Sequence, residues 1–272
     1  MDRKQFWQIL KKNFQYQTLK TKPCYIEKIP GAPTFFYYSQ VMNVVFNHGI
    51  IASRNNYNRN IWTDGAWAMI NIAESVGAEV CVSGLENVAE YIGPLVYISN
   101  HMSMVDAFFL PGFLLEFNDI TFVIKEDLLY YPFFGKVMQA VNPIAVTRKN
   151  PREDLKTVLN QGMKKLTEGR SVIVFPQSTR SHIFDASKFN SLGVKLARKA
   201  GVPIIPVALK TDFQGYGKYI KDLGKIDPSK TIYIKFGRPL TVTGKGQTAH
   251  EHIIKFIAEN VRQWGGRVRN VL

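Results

Sequence analysis

The sequence is poor in cysteine, with only Cys24 and Cys81 in 272 residues. Two cysteines without a C-x-x-C spacing exclude a disulfide framework and favour a reducing compartment, where both are small apolar packing residues. Long apolar runs are also missing, since the best stretches, near 41–52 and 107–117, are shorter than the roughly 20 residues of a spanning helix. The start of the chain lacks the apolar region and cleavage site of a secretory signal. We therefore expect neither a disulfide-stapled secreted fold nor an obvious membrane span.

The common catalytic motifs are absent as well. The sequence contains no G-x-S-x-G elbow, no Walker A sequence and no H-E-x-x-H helix. The stretch "GYGKYI" lacks the third glycine of a dinucleotide loop, and "HEH" at 250–252 has the wrong spacing for a zinc site. These absences argue against the hydrolase, nucleotide-binding and metalloprotease classes that the motifs define.

Acidic residues are scarce relative to basic ones. The chain has 35 Lys and Arg against 21 Asp and Glu, a formal net charge of +14. Such a charge indicates a polyanionic partner, and nucleic acid, anionic lipid and a phosphorylated substrate all satisfy it. No nucleic-acid-binding motif is present, and aromatic and basic residues do not interleave along any one predicted strand. We therefore expect no nucleic-acid partner.

The first 28 residues are both basic and amphipathic. They carry seven Lys and Arg against Asp2 and Glu27, and Phe6, Leu10 and Phe14 recur near helical spacing. This pattern is typical of a helix that lies in a membrane interface, where each basic residue near an anionic leaflet contributes about 1 kcal/mol. An amphipathic helix packed on its own domain gives the same pattern, so both interpretations stay open here.

The remaining chain alternates helical and β-rich segments. After the break "KIPGAPT", two candidate helices near 36–52 and 61–77 predict a helical hairpin. From Glu79 onward, short β-rich runs alternate with helical stretches such as 151–168 and 188–200. The runs are "EVCVSG", "LVYIS", "TFVIK", "NPIAV", "SVIVF", "PIIPVAL" and "TIYIKF". The alternation predicts an α/β sheet with helices on its faces, with polar site residues at the strand ends.

One polar patch interrupts an apolar stretch in "YISNHMSMVDAFFL". His101 directly follows a predicted strand, and Asp106 lies about a helical turn further on. A carboxylate bonded to the Nδ1–H of a histidine fixes the tautomer and leaves Nε2 as a general base for a hydroxyl. A loop whose polar groups merely cap the next helix has the same spacing, so the pair alone does not decide between the two.

Four further blocks complete a family pattern. The sequence resembles the glycerolipid acyltransferase family over about residues 85 to 240, in "NHMSMVD", "KEDLLYYPFFG", "NPIAVTR", "VFPQSTRS" and "GVPIIPVAL", in the family's order. The first block carries the family's histidine, any four residues, aspartate motif. Bacterial members of this family transfer a fatty acyl chain to lysophosphatidic acid.

The resemblance implies roles for individual residues. It implies that His101 is the base and Asp106 its orienting partner, and that Lys125, Arg148 and Arg180 line an anion site for the acceptor phosphate. Arginine offers forked donors that match phosphate oxygens, while lysine adds a mobile point charge. The other motif positions are Asn100, Ser103, Pro176, Gln177, Ser178, Thr179 and Pro203; of these, the resemblance counts Gln177, Ser178 and Thr179 with the substrate-binding residues.

The third block departs from the family, which has glutamate and glycine where this chain has Gln177 and Ser178. Glutamine keeps the length and an acceptor oxygen of glutamate but loses its charge. The departure leaves the identity of the acceptor open. Because His101 and Asp106 are both present, a changed acceptor or an altered polar network around Arg180 is a better explanation than a non-catalytic lipid-binding descendant.

The expected fold is α/β, a mixed sheet flanked by helices as in glycerolipid acyltransferases, preceded by an N-terminal helical hairpin. Residues 1–78 are expected to form a basic, membrane-docking helical segment and residues 79–272 the acyltransferase domain. The expected function is acyl transfer from acyl-CoA or acyl-acyl carrier protein to the hydroxyl of a lysophospholipid, with 1-acyl-glycerol-3-phosphate as the first candidate. No metal or bound cofactor is implied. The expected partner is an anionic membrane surface, and the expected location is the cytoplasmic face of the inner membrane, peripheral or monotopic.

Overall fold

The structure is a computed structural model that describes residues 2–19, 29–177 and 179–271. In this part of the chain the strands are β1 (Tyr16–Gln17), β2 (Val80–Ser83), β3 (Val96–Ser99), β4 (Ile120–Lys125), β5 (Ile144–Val146), β6 (Ser171–Val174), β7 (Ile183–Asp185), β8 (Ile204–Lys210), β9 (Ile232–Phe236) and β10 (Arg267–Arg269). Seven of them correspond to the seven β-rich runs of the sequence. The exceptions, β1, β7 and β10, have two or three residues each.

The helices are α1 (Arg3–Asn13), α2 (Ala32–Ser53), α3 (Arg59–Ser75), α4 (Glu86–Ala89), α5 (Val105–Leu114), α6 (Phe134–Ala140), α7 (Pro151–Thr167), α8 (Leu192–Ala200) and α9 (Gln247–Gln263). Short 3₁₀ turns follow β4 and β7. Local sequence explains the start of α7. The Asn150 side chain accepts from the backbone N–H groups of Arg152 and Glu153, and Pro151 occupies the first turn.

The main sheet is mixed, with the strand order β1-β2-β9-β8-β3-β6-β4-β5 among the described residues. The five strands from β8 to β5 run parallel to one another, whereas β9 is antiparallel to β8 and β1 is antiparallel to β2. Strands β7 and β10 pair separately. The mixed sheet flanked by helices confirms the predicted fold class.

Apolar cores lie on both faces of the sheet. On β3, Tyr97 belongs to the core shared with α1, α2, α3 and α5, while Val96 and Ile98 belong to the core shared with α7, α8 and α9. Alternate residues of a strand point to opposite faces, so a fully buried strand such as β3 contributes side chains to both cores. The polar groups that follow such a strand are therefore concentrated at its end.

Helix α1 packs on the protein itself. Phe6 and Leu10 are fully buried, and the Phe6 ring lies 5.0 Å from Tyr16 and 5.7 Å from Phe113 between centroids. Strand β1 also lies within the first 78 residues, so this segment shares a core with the sheet. Residues 20–28, the rest of the basic start, lie outside the described residues.

Helix α2 differs from α1 in its exposed side. It packs against α3 and α6 yet leaves large apolar side chains in solvent. These are Phe35, Phe36, Met42 and Phe46. None of the helices that the structure describes is both long enough and apolar enough to cross a membrane.

Candidate active site

Five polar or charged side chains lie at the carboxyl edge of the parallel strands. His101 follows β3, Gln177 follows β6, Lys125 ends β4, Arg148 follows β5 and Thr211 follows β8. Because these strands are parallel neighbours, their carboxyl ends meet at one edge of the sheet. This is the edge at which open α/β sheets bind ligands.

His101 and Asp106 form a hydrogen-bonded pair. The His101 Nδ1 lies 2.7 Å from the Asp106 Oδ2. The Asp106 side chain is fully buried, whereas that of His101 is 17% exposed. An ionised Asp106 accepts from Nδ1–H, so the lone pair of the neutral ring lies on Nε2. This geometry suits a general base.

Asp106 is held by three further donors. The backbone N–H groups of Met102 and Ser103 donate to Oδ2 at 2.6 and 3.1 Å, and the Thr211 hydroxyl donates to Oδ1. The Ser103 hydroxyl in turn donates to the Thr211 oxygen at 3.0 Å. Asp106 also lies in the first turn of α5, where the helix dipole favours a negative charge. These contacts fix an ionised carboxylate in one orientation.

The backbone and ring of His101 are held by other contacts. The Gln177 Oε1 accepts from the His101 N–H at 2.9 Å, and the Phe175 ring stacks on the imidazole at 4.1 Å between centroids. Asn100, the preceding residue, exchanges two hydrogen bonds of 2.8 Å with the Leu209 backbone on β8. The departure at Gln177 therefore keeps an acceptor oxygen beside the candidate base.

Two predicted anion-site arginines lie near each other. Burial lowers the pKa of the Arg148 guanidinium, and the positive charge of Arg180 lowers it further. Arg180 forms an ion pair with Asp222 at 2.5 Å. Lys221 joins them, because its ammonium donates to the Thr179 hydroxyl at 3.0 Å and to the Arg180 carbonyl at 2.8 Å. Burial lowers the pKa of Lys221, and Arg180 adds to this effect.

Lys125, the third predicted cation, is paired with Asp127 and holds the pKa of that carboxyl below its usual range. It lines the same cavity as Arg148 and His101. Arg180 does not line this cavity but is close enough for its charge to act on Arg148.

Of the remaining motif positions, Pro176 and Pro203 have backbone roles. The Pro176 carbonyl accepts from Asn190 at 2.5 Å, and the Pro203 carbonyl accepts from the Val96 N–H at 3.1 Å. Ser178 lies outside the described residues.

An apolar cavity of about 130 Å³ opens beside the pair. Its walls come from α2, α3, β4, α5 and α6, with Trp62, Met69 and Phe108 among the lining residues. His101, Lys125 and Arg148 are the site residues that reach it. An apolar cavity with a few polar groups at one side suits a ligand with an apolar tail and a polar end.

Sequence reasoning missed Thr211 and Lys221. Thr211 follows the "PVALK" run directly, and its position opposite Asp106 results from the pairing of β8 with β3, which the sequence does not reveal. Lys221 directly follows the stretch "GYGKYI", which lacks the pattern of a dinucleotide loop. The basic and apolar residues just before it, Lys218, Tyr219 and Ile220, are a signal that could have pointed to a functional segment here.

Comparison with known proteins finds similarity to one family of enzymes. A model of the acyltransferase family matches residues 79–210. The 1-acyl-sn-glycerol-3-phosphate acyltransferase of Pseudomonas aeruginosa is 36% identical over 168 residues, which cover 62% of this chain and 62% of that protein. The chloroplastic enzyme of the same name, BAT2, from Brassica napus is 30% identical over 143 residues, covering 53% of this chain and 40% of that protein. The chain thus spans less than two thirds of the length of these relatives.

The fold also matches a solved structure. The crystal structure of the 1-acyl-sn-glycerophosphate acyltransferase PlsC from Thermotoga maritima superposes with a TM-score of 0.70, covering 89% of this chain and 98% of that one. The two sequences are only 19% identical, so this similarity is evidence for a shared fold alone. The family model matches residues 79–210, somewhat less than half of the chain, so this part of the chain is similar to the acyltransferase family, and the related sequences and the fold are consistent with that similarity.

Proposed function

We propose that the chain transfers a fatty acyl group from an acyl thioester to the hydroxyl of a lysophospholipid, with 1-acyl-glycerol-3-phosphate as the acceptor. The observation that carries this proposal is the pair of His101 and Asp106 beside an apolar cavity and a group of cations. The family relatives that match this chain bear the name of that reaction.

In the proposed mechanism His101 is the general base. Its Nε2 takes the proton of the acceptor hydroxyl as the oxygen attacks the thioester carbonyl carbon. The C–S bond then breaks, and the proton passes from Nε2 to the departing thiolate sulfur. The buried Asp106 carboxylate stabilises the imidazolium that exists between these two proton transfers. No serine nucleophile and no covalent acyl-enzyme are required.

The cavity and the cations bind different parts of the substrates. The apolar cavity receives part of the fatty acyl chain, since its lining is mostly aliphatic and aromatic. Lys125 and Arg148 supply positive charge for phosphate oxygens at its polar side, and Arg180 adds its charge beside Arg148. The donor carries coenzyme A or acyl carrier protein as its thiol, and no metal takes part in the scheme.

The protein is proposed to act at a membrane as a peripheral or monotopic enzyme on the cytoplasmic face. The exposed apolar residues of α2 support this proposal, because contiguous apolar surface at helical spacing is typical of interfacial helices. In this proposal α2 carries the docking function of the 1–78 segment. The excess of basic residues in the chain adds attraction to anionic lipid.

The experiment is an acyl-transfer assay with the purified protein. Acyl-CoA and acyl-acyl carrier protein are each offered with 1-acyl-glycerol-3-phosphate and with unphosphorylated lyso-lipids, and both the diacyl product and the free thiol are measured. We expect one thiol released per product formed, with the phosphorylated acceptor preferred. Transfer to none of the acceptors from either donor would refute the proposal.

A further inference from the structure

A loop of residues 215–225 exposes four large apolar side chains, and three of them project beyond Tyr216, which is 38% exposed. Tyr219 is 90% exposed, Ile220 58% and Leu223 47%. They lie within five consecutive residues, on the chain between β8 and β9. A cluster of exposed apolar side chains on an otherwise well-packed protein marks a contact surface.

The base of the 215–225 loop is well defined. Gln214 and Ile226 form an antiparallel bridge, and the Gly215 N–H donates to the Lys225 carbonyl at 2.9 Å. The Gln214 side chain also donates to the Asp222 carbonyl at 2.7 Å. The apolar side chains are therefore presented on a closed, hydrogen-bonded loop.

The loop is continuous with the exposed side of α2. The Tyr38 hydroxyl, near the start of α2, donates to the Gly224 carbonyl at 2.8 Å. Phe35 and Phe36, on the same turn of the helix, are exposed. The loop and the first turns of α2 thus form one apolar rim.

The other side of the loop contacts the candidate active site. The Tyr216 hydroxyl donates to the carbonyl of Met102, whose own N–H donates to Asp106. Asp222 forms the ion pair with Arg180, and Lys221 donates to the Arg180 carbonyl. The loop therefore connects the apolar rim with the cationic side of the site.

Charge selects the kind of partner. Lys218, Lys221 and Lys225 are exposed on the loop, and the Asp222 carboxylate is neutralised by Arg180. Apolar tips flanked by lysines fit a surface that is apolar inside and anionic at its boundary, which describes an anionic phospholipid bilayer. An acidic protein offers the negative charge but no apolar interior for three projecting apolar side chains.

We propose that the 215–225 loop is a second membrane contact, in which Tyr219, Ile220 and Leu223 enter an anionic phospholipid surface beside α2. The proposal rests on the proposed function, because it assigns the surface from which that function draws its lipid acceptor. With the loop inserted, the surface of the bilayer lies close to Arg180. The phosphate of a membrane-embedded acceptor then reaches the cations while its acyl chain is still in lipid.

The test is vesicle binding by a variant with Tyr219→Ser, Ile220→Ser and Leu223→Ser. The matched control is Ile92→Ser, which removes a side chain that is 97% exposed in the segment before β3, at the opposite edge of the sheet. Binding is measured by co-sedimentation with vesicles of phosphatidylcholine alone and of phosphatidylcholine mixed with phosphatidylglycerol. Equal thermal melting of all variants establishes that they are folded.

We expect the triple variant to bind both kinds of vesicle at least about tenfold more weakly than the wild type, since it loses apolar insertion. The Ile92→Ser control should bind like the wild type. A variant with Lys218→Gln and Lys225→Gln should lose about fivefold per lysine on anionic vesicles only.

Wild-type vesicle binding by the triple variant would overturn the proposal. If that variant bound vesicles like the wild type but lost affinity for an acidic acyl carrier protein, the loop would be a protein contact instead. Because these measurements use no acyl transfer, they are independent of whether the proposed reaction occurs.

Discussion

Replacing Gln177 with leucine removes the acceptor of the His101 N–H. In the structure this bond is 2.9 Å long and Gln177 is only 4% exposed, so little water is available to replace the lost oxygen. Leucine has a similar volume but no polar atom. The substitution therefore isolates the hydrogen bond from the packing of the side chain.

The expected magnitude follows from the burial of the donor. A buried N–H left without a partner costs about 1–3 kcal/mol of stability. For a chain of comparable size this corresponds to a fall in Tm of about 2–4 °C per kcal/mol. Turnover should fall by up to about 10²-fold, because an unpaired N–H allows His101 to shift and a displacement near 1 Å has that effect.

Calorimetry and an acyl-transfer assay measure the two effects on the same protein. The matched control is Gln177→Glu, which keeps the side-chain length and an acceptor oxygen and restores the residue of the family pattern. We expect the glutamate variant to stay close to the wild type in turnover and the leucine variant to lose it. If the leucine variant were as stable and active as the wild type, the acceptor role assigned to Gln177 would be wrong.

Three further predictions concern the surroundings of the pair. Thr211→Val should lower kcat about tenfold with little change in KM, since Asp106 loses a hydroxyl donor, and Thr211→Ser should restore it; equal loss in both variants would assign Thr211 a packing role. Ala66→Phe places a ring in the cavity wall and should reduce turnover of long-chain donors at least about tenfold relative to short-chain ones, whereas an unchanged ratio would move the acyl chain elsewhere. Arg180→Gln should slow phosphorylated acceptors by about one to two orders of magnitude relative to unphosphorylated lyso-lipids. Equal slowing of all acceptors would exclude a phosphate contact at Arg180.

The strands and the His101–Asp106 pair could be predicted because both are local. A β-rich run of five to seven residues bounded by turn residues identifies a strand without knowledge of its neighbours. The pair spans five residues, so a strand-to-helix turn is enough to bring it together. Family resemblance in the ordered blocks then supplied the chemical interpretation.

The rest of the site depends on strand order, which the sequence does not reveal. Thr211 reaches Asp106 from more than a hundred residues away because β8 pairs with β3. Gln177 reaches His101 in the same way, through the pairing of β6 with β3. Such contacts between the ends of neighbouring strands have no signature in the periodicity of either segment.

The N-terminal helix illustrates a different limit. An amphipathic pattern indicates that one face of a helix is covered, but it is the same whether lipid or protein covers it. In the structure Phe6 and Leu10 of α1 are buried against the protein. The helix with exposed apolar side chains is α2, which is only weakly amphipathic because its apolar residues lie all around the helix. The 215–225 loop has no helical period at all.

The most direct test of the proposed mechanism is the rate of acyl transfer by His101→Ala. The variant is compared with the wild type using the same thioester and 1-acyl-glycerol-3-phosphate, with equal thermal melting as the sign of an intact fold. Loss of the general base predicts a rate lower by about two to four orders of magnitude. A folded His101→Ala protein that transfers acyl groups at the wild-type rate would contradict the account.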